Sequence, residues 1–492
     1  MPLRGFVTAC RPIAMPVNVV LIAIDALRAD RLGCYGYPKP TTPFIDELAA
    51  NGVVFEHHFT PVAPTQPAFT TIYSGVHPLT HRVVAHEGLQ NPNPKCTWLP
   101  LLMRFHKWHT VAVDNLADHK AWFWRGFEYY INPRRRSEYP DCHVYNERAR
   151  EWLEHCRREP FMMTLHYWDT HTPYEPVLDY VKEFYDGDPT VTNVDSLKAF
   201  YENPQVERWP ALWFENLLAR WPNKSGQRIE DGQFIVAHYD ACVRTADDGV
   251  REICERLDRL GLFDDTLLIV YSDHGEELLG EHGIFFDHHG LYDSNLRCPL
   301  IMHWPRGLPG GRRVSAMTQH QDIFATVLDA CGLPVPEDVV EGRSLLPHVT
   351  DQAATSHWEE LLLACESTWQ AKWAMRTDGC KLIVSRQPDM HGFPPVELYD
   401  LRVDPGERNN VWGVDREMSG RFLARFNRLI EQMVSERGLP HDLVSKNGLT
   451  LGKQFIEDHG MTYPLTDAGW SAQMAAAQAL ARNYEHSVAD SS

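Results

Sequence analysis

The sequence predicts an α/β protein of three-layer αβα architecture, with a mostly parallel central sheet, followed by a small C-terminal α+β subdomain with a short antiparallel sheet. Three observations carry this reading. Short apolar runs alternate with helix-period patterns through the first two-thirds of the 492 residues, the rhythm of parallel strands joined by crossover helices. The strand-like runs end in carboxylates, Asp25, Asp114, Asp169 and Asp273, where open α/β sheets gather their sites. After about Ala364 the pattern changes to closely spaced strands, and a chain of this length outgrows a single core.

Met1 to Met15 reads as a flexible extension, 1–15. The apolar run from Val17 to Ile24 meets Asp25 with no small-residue cleavage pattern, so it reads as a buried strand and not as a leader. "TTPFIDELAANG" is a helix with Pro43 in its first turn and Gly52 at its end. "HTVAVDN", "FMMTLHYWD" and "DTLLIVYSDHG" are further strands, with a long helix from Phe234 to Leu260 before the last. Residues 186–233, rich in Trp, Asn and Pro, interrupt this rhythm as an insertion beside the pocket. Its Trp209, Trp213 and Trp221 read as packing more readily than as a substrate platform. Residues 16–364 thus form the catalytic domain. Residues 365–492 form the C-terminal subdomain and tail, with strands in "WAMRTDGCKLIVS" and "VELYDLRVDPGERNN" and a helix over about Arg416 to Arg437.

Composition narrows the function classes. The net charge of −19 argues against a general binder of nucleic acid or anionic membrane, and no run approaches the roughly 20 apolar residues of a membrane span. Eleven scattered cysteines without C-x-x-C pairing fit reduced thiols and a cytoplasmic location.

Asp25 alone reads equally well as a turn cap. "SDHGEELLGEHG" changes the balance: Asp273 and His274 are adjacent at a second strand end, next to Gly275, which allows a sharp turn. Carboxylates with an imidazole suit Zn²⁺ or Mn²⁺, and Thr65 would add a hydroxyl for the ion to activate. Thr65 also has a bland reading as the N-cap of the helix over "PAFTTIYSG". Arg28 and Asp30 read as braces of the turn after the first strand.

From about Asn18 to Arg408 the chain resembles the sulfatase-like branch of the alkaline phosphatase superfamily. The resemblance rests on "IDALRADRLGCYGY", "TTPFIDELAANGVVFEHHFT", "TTIYSGVHPLTHRV", "WDTHTPYEP", "YSDHGEELLGEHG", "HHGLYDSNLRCPLIMHWP" and "ELYDLRVDPGERNN". It implies the alkaline phosphatase-like fold and a divalent metal at Asp25, Thr65, Asp273 and His274. The departures bear on the substrate. Where a sulfatase of this family carries C/S-x-P-S-R, whose first residue becomes formylglycine, this chain reads "TQPAF", with Thr65 at the nucleophile and Phe69 at the Arg. The family's "GKWH" lysine has no match, since Asp114 and Asn115 stand in its neighbourhood, and the later lysine is replaced by "FFDHHG".

Phosphoethanolamine transferases, lipoteichoic acid synthases and nucleotide phosphodiesterases resemble this site in their threonine nucleophile. Phosphonate monoester hydrolases resemble the chain in their single Asp. By the resemblance to the phosphoethanolamine transferases, His171 and His288 join Thr65 in catalysis, with His289 an alternative to His288. Asp169, His171, His282, His288, His289 and Asn115 are the candidates for a second metal or for substrate contact. The expectation is a metal-dependent hydrolase of a small-molecule phosphodiester or phosphonate monoester, working through a phospho-threonine on Thr65. The rivals are a sulfatase without formylglycine, a phosphoryl-group transferase, and an inactive binding scaffold. No nucleic-acid or membrane partner is expected, and the resemblance admits a homo-oligomer assembled through the C-terminal part.

Overall fold

The computed structural model describes residues 17–133, 140–191, 197–202, 227–350, 361–458 and 467–489. The extension 1–15, the three insertion tryptophans and most of the insertion lie outside the described residues.

The first strand, β1 (Asn18–Ile24), is buried at every position and lies at the middle of a nine-stranded sheet. Apolar side chains on both of its faces suit a strand covered on both sides. The other strands of this sheet are β2 (Val53–Phe59), β3 (His109–Val113), β4 (Tyr129–Ile131), β5 (Phe161–Tyr167), β6 (Thr266–Tyr271), β9 (Arg297–Cys298), β10 (Leu300–His303) and β11 (Arg312–Gln319). Between β6 and β9 a short ribbon pairs β7 (Glu277–Leu279) with β8 (Phe285–Asp287). The sheet order is β11-β2-β10-β6-β1-β5-β3-β4, with β9 paired to β2. Only β9 and β10 run antiparallel to their neighbours, so the sheet is mixed and mostly parallel.

The parallel core sets the site. β1 pairs β5 and β6 in a register that places Ala23 beside both His166 and Tyr271. The carboxyl ends of these three strands therefore sit side by side, and the residues that follow them, Asp25, Trp168 and Ser272, share one edge. The helices that matter here are α1 (Pro43–Ala50), α2 (Thr65–Ser74), α3 (Cys142–His155) and α4 (Gly232–Arg259). Pro43 takes the first turn of α1, as its missing N–H allows. Asp231 caps α4 by accepting from the Gln233 N–H at 2.8 Å.

A separate antiparallel sheet runs β12 (Leu362–Glu366), β13 (Lys372–Arg376), β14 (Cys380–Ser385) and β15 (Val396–Asp400) in order. Its first strand begins at Leu362, ahead of the change of pattern read at Ala364. Two helices, α5 (Arg416–Glu436) and α6 (Asp467–Ala489), pack on it through a second core that includes Leu423, Phe426, Ala477 and Ala481. This sheet touches the catalytic edge directly. Cys365 N donates to Pro61 O at 3.0 Å and Ala63 N donates to Cys365 O at 3.3 Å, just before Thr65.

Candidate metal centre and active site

Asp25 follows β1, and its N–H extends the ladder to Tyr167 O at 2.9 Å. The next residue, Ala26, takes a left-handed conformation with φ 56°, uncommon for a residue with a Cβ. Tyr239 of α4 holds it, donating to Ala26 O at 2.8 Å and accepting from Arg28 N at 2.9 Å. The Arg28 guanidinium clamps Asp30 at 2.8 and 2.7 Å and donates to Glu276 O at 3.0 Å. Arg28 and Asp30 thus brace the turn.

Asp273 and His274 follow β6. Ala26 N and His274 N both donate to Asp273 Oδ1, at 3.2 and 2.9 Å, so Oδ2 is the oxygen left for a ligand. His274 Nδ1–H donates to Gly275 O at 2.9 Å, which puts the ring's lone pair on Nε2. That Nε2 lies 3.3 Å from Asp273 Oδ2 and 3.9 Å from Asp25 Oδ1. Gly275 is required here by closeness: a Cβ on it would sit 1.9 Å from the backbone oxygen of Ser294. Its φ is not among the positive ones, so the requirement is space and not the turn conformation the sequence suggests.

Thr65 opens α2. Its Oγ1 lies 3.2 Å from His274 Nε2 and 3.4 Å from Asp25 Oδ2. The N-cap is Pro64 and carries no side-chain cap, so the capping role open to Thr65 falls away. The hydroxyl stands where the helix N-terminus favours negative charge on an oxygen.

These residues fit a divalent cation. Asp25 Oδ1 and Asp273 Oδ2 are buried with no hydrogen-bond partner, an arrangement that is costly for carboxylates unless a positive charge meets them. One atom each from Asp25, Asp273 and His274 lies within 4.8 Å of the others. Burial, reinforced by the Asp25 charge, pushes the Asp273 carboxyl up to about 6. Burial also works to raise Asp25, yet the His166 hydrogen bond and the nearby histidines hold it below the usual carboxylate range.

The remaining candidates divide into two groups. His171 and His288 come together beside the centre: their ring centroids are 4.9 Å apart, and His288 stacks on His274 at 4.8 Å. Burial lowers all three imidazoles. His171 Nδ1–H donates to Thr172 O at 2.6 Å, and His288 Nδ1 lies 3.5 Å from Glu276 Oε2. His289 instead lies against Asp287 at 3.0 Å and His391 at 2.8 Å. Asn115 is buried beside Asp114, and neither atom of its amide makes a hydrogen bond.

Asp169 and His282 are not brought to the centre. Asp169 accepts from Cys142 N at the start of α3 at 3.2 Å. Both nitrogens of His282 are engaged, with Glu277 at 2.9 Å and Gly406 O at 3.0 Å, and its ring stacks on Tyr292.

Two supporting elements escape the sequence reading. His166, inside β5, bridges Asp25 and Asp114, with Nε2 3.1 Å from Asp25 Oδ2 and Nδ1 2.9 Å from Asp114 Oδ1. Although burial opposes it, the hydrogen bonds to Asp114 and Asp25 raise this imidazole to about 9. On the other flank His320 Nε2–H donates to Asp273 O at 2.8 Å, and His58 meets His320 Nδ1 at 2.9 Å. The available signal was a histidine inside an otherwise apolar, doubly buried strand.

A mostly parallel sheet with two carboxylates, an imidazole and a hydroxyl converging beyond its carboxyl edge defines a hydrolase of the alkaline phosphatase superfamily. The model of the sulfatase family matches residues 17–333, and that of the C-terminal part of N-sulphoglucosamine sulphohydrolase matches 280–434. The chain belongs to the sulfatase family. It is 23% identical over 484 residues to the N-acetylglucosamine-6-O-sulfatase of Bacteroides thetaiotaomicron, with 80% of this chain and 82% of the relative covered. It is likewise 23% identical over 515 residues to the multifunctional alkaline phosphatase superfamily protein PehA of Trinickia caryophylli, covering 87% and 99%. Among solved structures, the phosphonate monoester hydrolase of Agrobacterium radiobacter superposes with a TM-score of 0.67 at 22% identity, covering 86% of this chain and 96% of that one. Members of this superfamily bind a divalent metal, and Asp25, Asp273 and His274 form the candidate site. Among the described residues no helix is long and apolar enough to cross a membrane.

Proposed function

We propose that the protein hydrolyses phosphoesters, phosphodiesters or phosphonate monoesters before monoesters, with Thr65 as the nucleophile. The observation that carries this reading is Thr65 Oγ1 at 3.2 Å from His274 Nε2 and 3.4 Å from Asp25 Oδ2, at the N-terminus of α2. A divalent cation, Zn²⁺ or Mn²⁺ by donor type, held by Asp25, Asp273 and His274, supplies Lewis acidity and counter-charge there.

The chain's own groups account for the rest. Thr65 Oγ bonds to phosphorus in line as the bond to the leaving alkoxide breaks, and the hydroxyl proton passes to a neutral imidazole of the His171–His288 pair. The imidazolium so formed gives that proton to the leaving alkoxide, which departs as the alcohol. Water then attacks the phospho-threonine, its proton passing to a neutral imidazole of the same pair, and Thr65 Oγ recovers a proton as the P–O bond breaks. Burial lowers both imidazoles, which suits proton acceptance near neutral pH. Threonine has one oxygen on its carbon, so release requires attack at the esterified centre, a step more accessible at phosphorus than at sulfur. With neutral histidines where sulfatases carry lysines, the pocket suits a monoanionic ester better than a dianionic one.

The relatives favour a second reading, a sulfate ester substrate, because the curated matches include several sulfatases. A panel of aryl phosphate monoester, phosphodiester, phosphonate monoester and sulfate ester separates the two, assayed with Zn²⁺ or Mn²⁺ on wild type and Thr65→Ala. Diester or phosphonate turnover that disappears in Thr65→Ala, with the corresponding monoester-phosphoryl or phosphonyl group trapped on Thr65 by mass spectrometry, is the expected result. Sulfate turnover that dominates, or that persists without Thr65, overturns it. A cytoplasmic location is part of the proposal, supported by ten described cysteines with no disulfide among them.

A further inference from the structure

A second group of metal-ligating side chains meets Gln66, the residue after Thr65. His86 and Glu87 come from the loop after the helix Pro78–His81, and His119 from the turn after β3. His119 Nδ1 lies 3.1 Å from Glu87 Oε1, and His86 Nε2 lies 3.9 Å from the same oxygen. One ligand atom from each of the three lies within 4.8 Å of the others. Donors bound at about 2.0–2.2 Å to a tetrahedral Zn²⁺ stand roughly 3.3 Å apart, a spacing these distances bracket.

Gln66 marks the centre of the group. Glu87 N donates to Gln66 Oε1 at 2.9 Å, which fixes the orientation of the amide. Its Nε2 therefore donates to Glu87 Oε1 at 2.8 Å and stands 3.1 Å from His86 Nε2. The amide N–H₂ thus fills the place between the lone pairs, and an ion entering the group must displace it. Lys120 lies 3.3 Å from Glu87 Oε2, engaging the other oxygen and leaving Oε1 to the group. Both imidazoles are partly exposed, with side-chain accessibilities of 21% and 22%, so the group is open to entry from solvent.

We infer that His86, Glu87 and His119 bind a second divalent cation of the Zn²⁺ type, distinct from the one at Asp25, Asp273 and His274. His86 lies within electrostatic reach of His171 and His288. The ion therefore adds positive charge beside those two residues, and it strengthens the hold on an anionic ester.

The test counts ions. Full-length protein stripped with a chelator is reloaded with Zn²⁺ and analysed by mass spectrometry of the elements, with Co²⁺ absorption as a second readout. Two ions per chain are expected in wild type, and one each in Asp273→Asn and in His119→Ala. The ion left in His119→Ala carries the Co²⁺ spectrum missing from Asp273→Asn. His86→Gln repeats the test should His119→Ala fail to fold, and KM for an anionic ester rises more than kcat falls. One ion per chain in wild type overturns the inference, as do two ions retained in both His119→Ala and His86→Gln. The count is the same whether the substrate is a phosphate or a sulfate ester, so failure here is distinct from failure of the proposed reaction.

Discussion

His166 Nε2 lies 3.1 Å from Asp25 Oδ2 while its Nδ1 lies 2.9 Å from Asp114 Oδ1, so one buried imidazole donates to two buried carboxylates. Asp114 is itself held by the Tyr130 hydroxyl at 2.6 Å. The bridge orients Asp25 without taking its Oδ1, which remains the oxygen that faces the candidate centre. Replacing His166 with Gln removes one of the two donations and leaves the ligands themselves intact. Zn²⁺ affinity should weaken by roughly 10- to 100-fold, the usual cost of losing an outer partner of a ligand. Competition against a chelator of known affinity measures this, and an unchanged affinity would show that Asp25 needs no such support.

Asp169 offers a test of which strand-end carboxylates belong to the site. Its Oδ2 is buried without a hydrogen bond, and burial raises its carboxyl to about 7 from the usual 3.8. A group whose folded pKa is raised contributes stability that is fully present below the unfolded pKa and lost as pH rises through the folded one. The loss here runs from about pH 4 to about pH 7. Asp169→Asn keeps an acceptor for Cys142 N and removes the ionisation. The variant should be more stable than wild type at pH 8, by roughly 4 kcal/mol, and the advantage should vanish near pH 4. Thermal melts across that range measure the difference. Turnover should be retained, and its loss would return Asp169 to the candidates for a second metal or for substrate contact.

The strands, the long helix and the candidate metal residues were legible because periodicity and strand-end position are local properties of the chain. What the sequence could not convey was lateral neighbourhood. His166 sits in the apolar run "FMMTLHYWD", and only the register that sets it beside Ala23 brings it to Asp25. The same blindness left Asp169 and His282 among the candidates, since a position after a strand does not say which way the side chain departs. His288 and His289 are adjacent, and only the path of the loop after β8 decides that His288 stacks on His274 while His289 turns to Asp287.

Gly275 carries a structural demand that a single substitution exposes. A Cβ there would meet Ser294 O at 1.9 Å, a backbone atom that cannot rotate away. Gly275 N also donates to Asn295 O at 2.8 Å, so the loop is pinned to the segment it approaches. Gly275→Ala must push Asp273 and His274 out of register with Asp25. A stability loss on the order of 3 kcal/mol is expected, together with loss of the ion shared by those ligands. Denaturant melts and a metal count on the same preparation check both. Full metal content at wild-type stability would mean that the loop yields more easily than its contacts imply.

The family resemblance puts Phe69 at the arginine position of the formylglycine motif, and its surroundings argue against an arginine there. The ring is fully buried, 4.5 Å from the His166 ring and 5.9 Å from Tyr73. The cation of this corner is the bridging imidazole, held by Asp25 and Asp114. A guanidinium at position 69 would place a second positive charge against it in an enclosed apolar space, with both carboxylates already engaged. Phe69→Arg should therefore cost about 3 kcal/mol or more. It should reduce metal binding, and it should not raise turnover of sulfate esters. Melting curves, metal content and an aryl sulfate assay read the three effects. Were the variant stable and newly active on the sulfate, Thr65 would be working within a sulfatase pocket from which only the arginine was missing, and the phosphoester reading would fall.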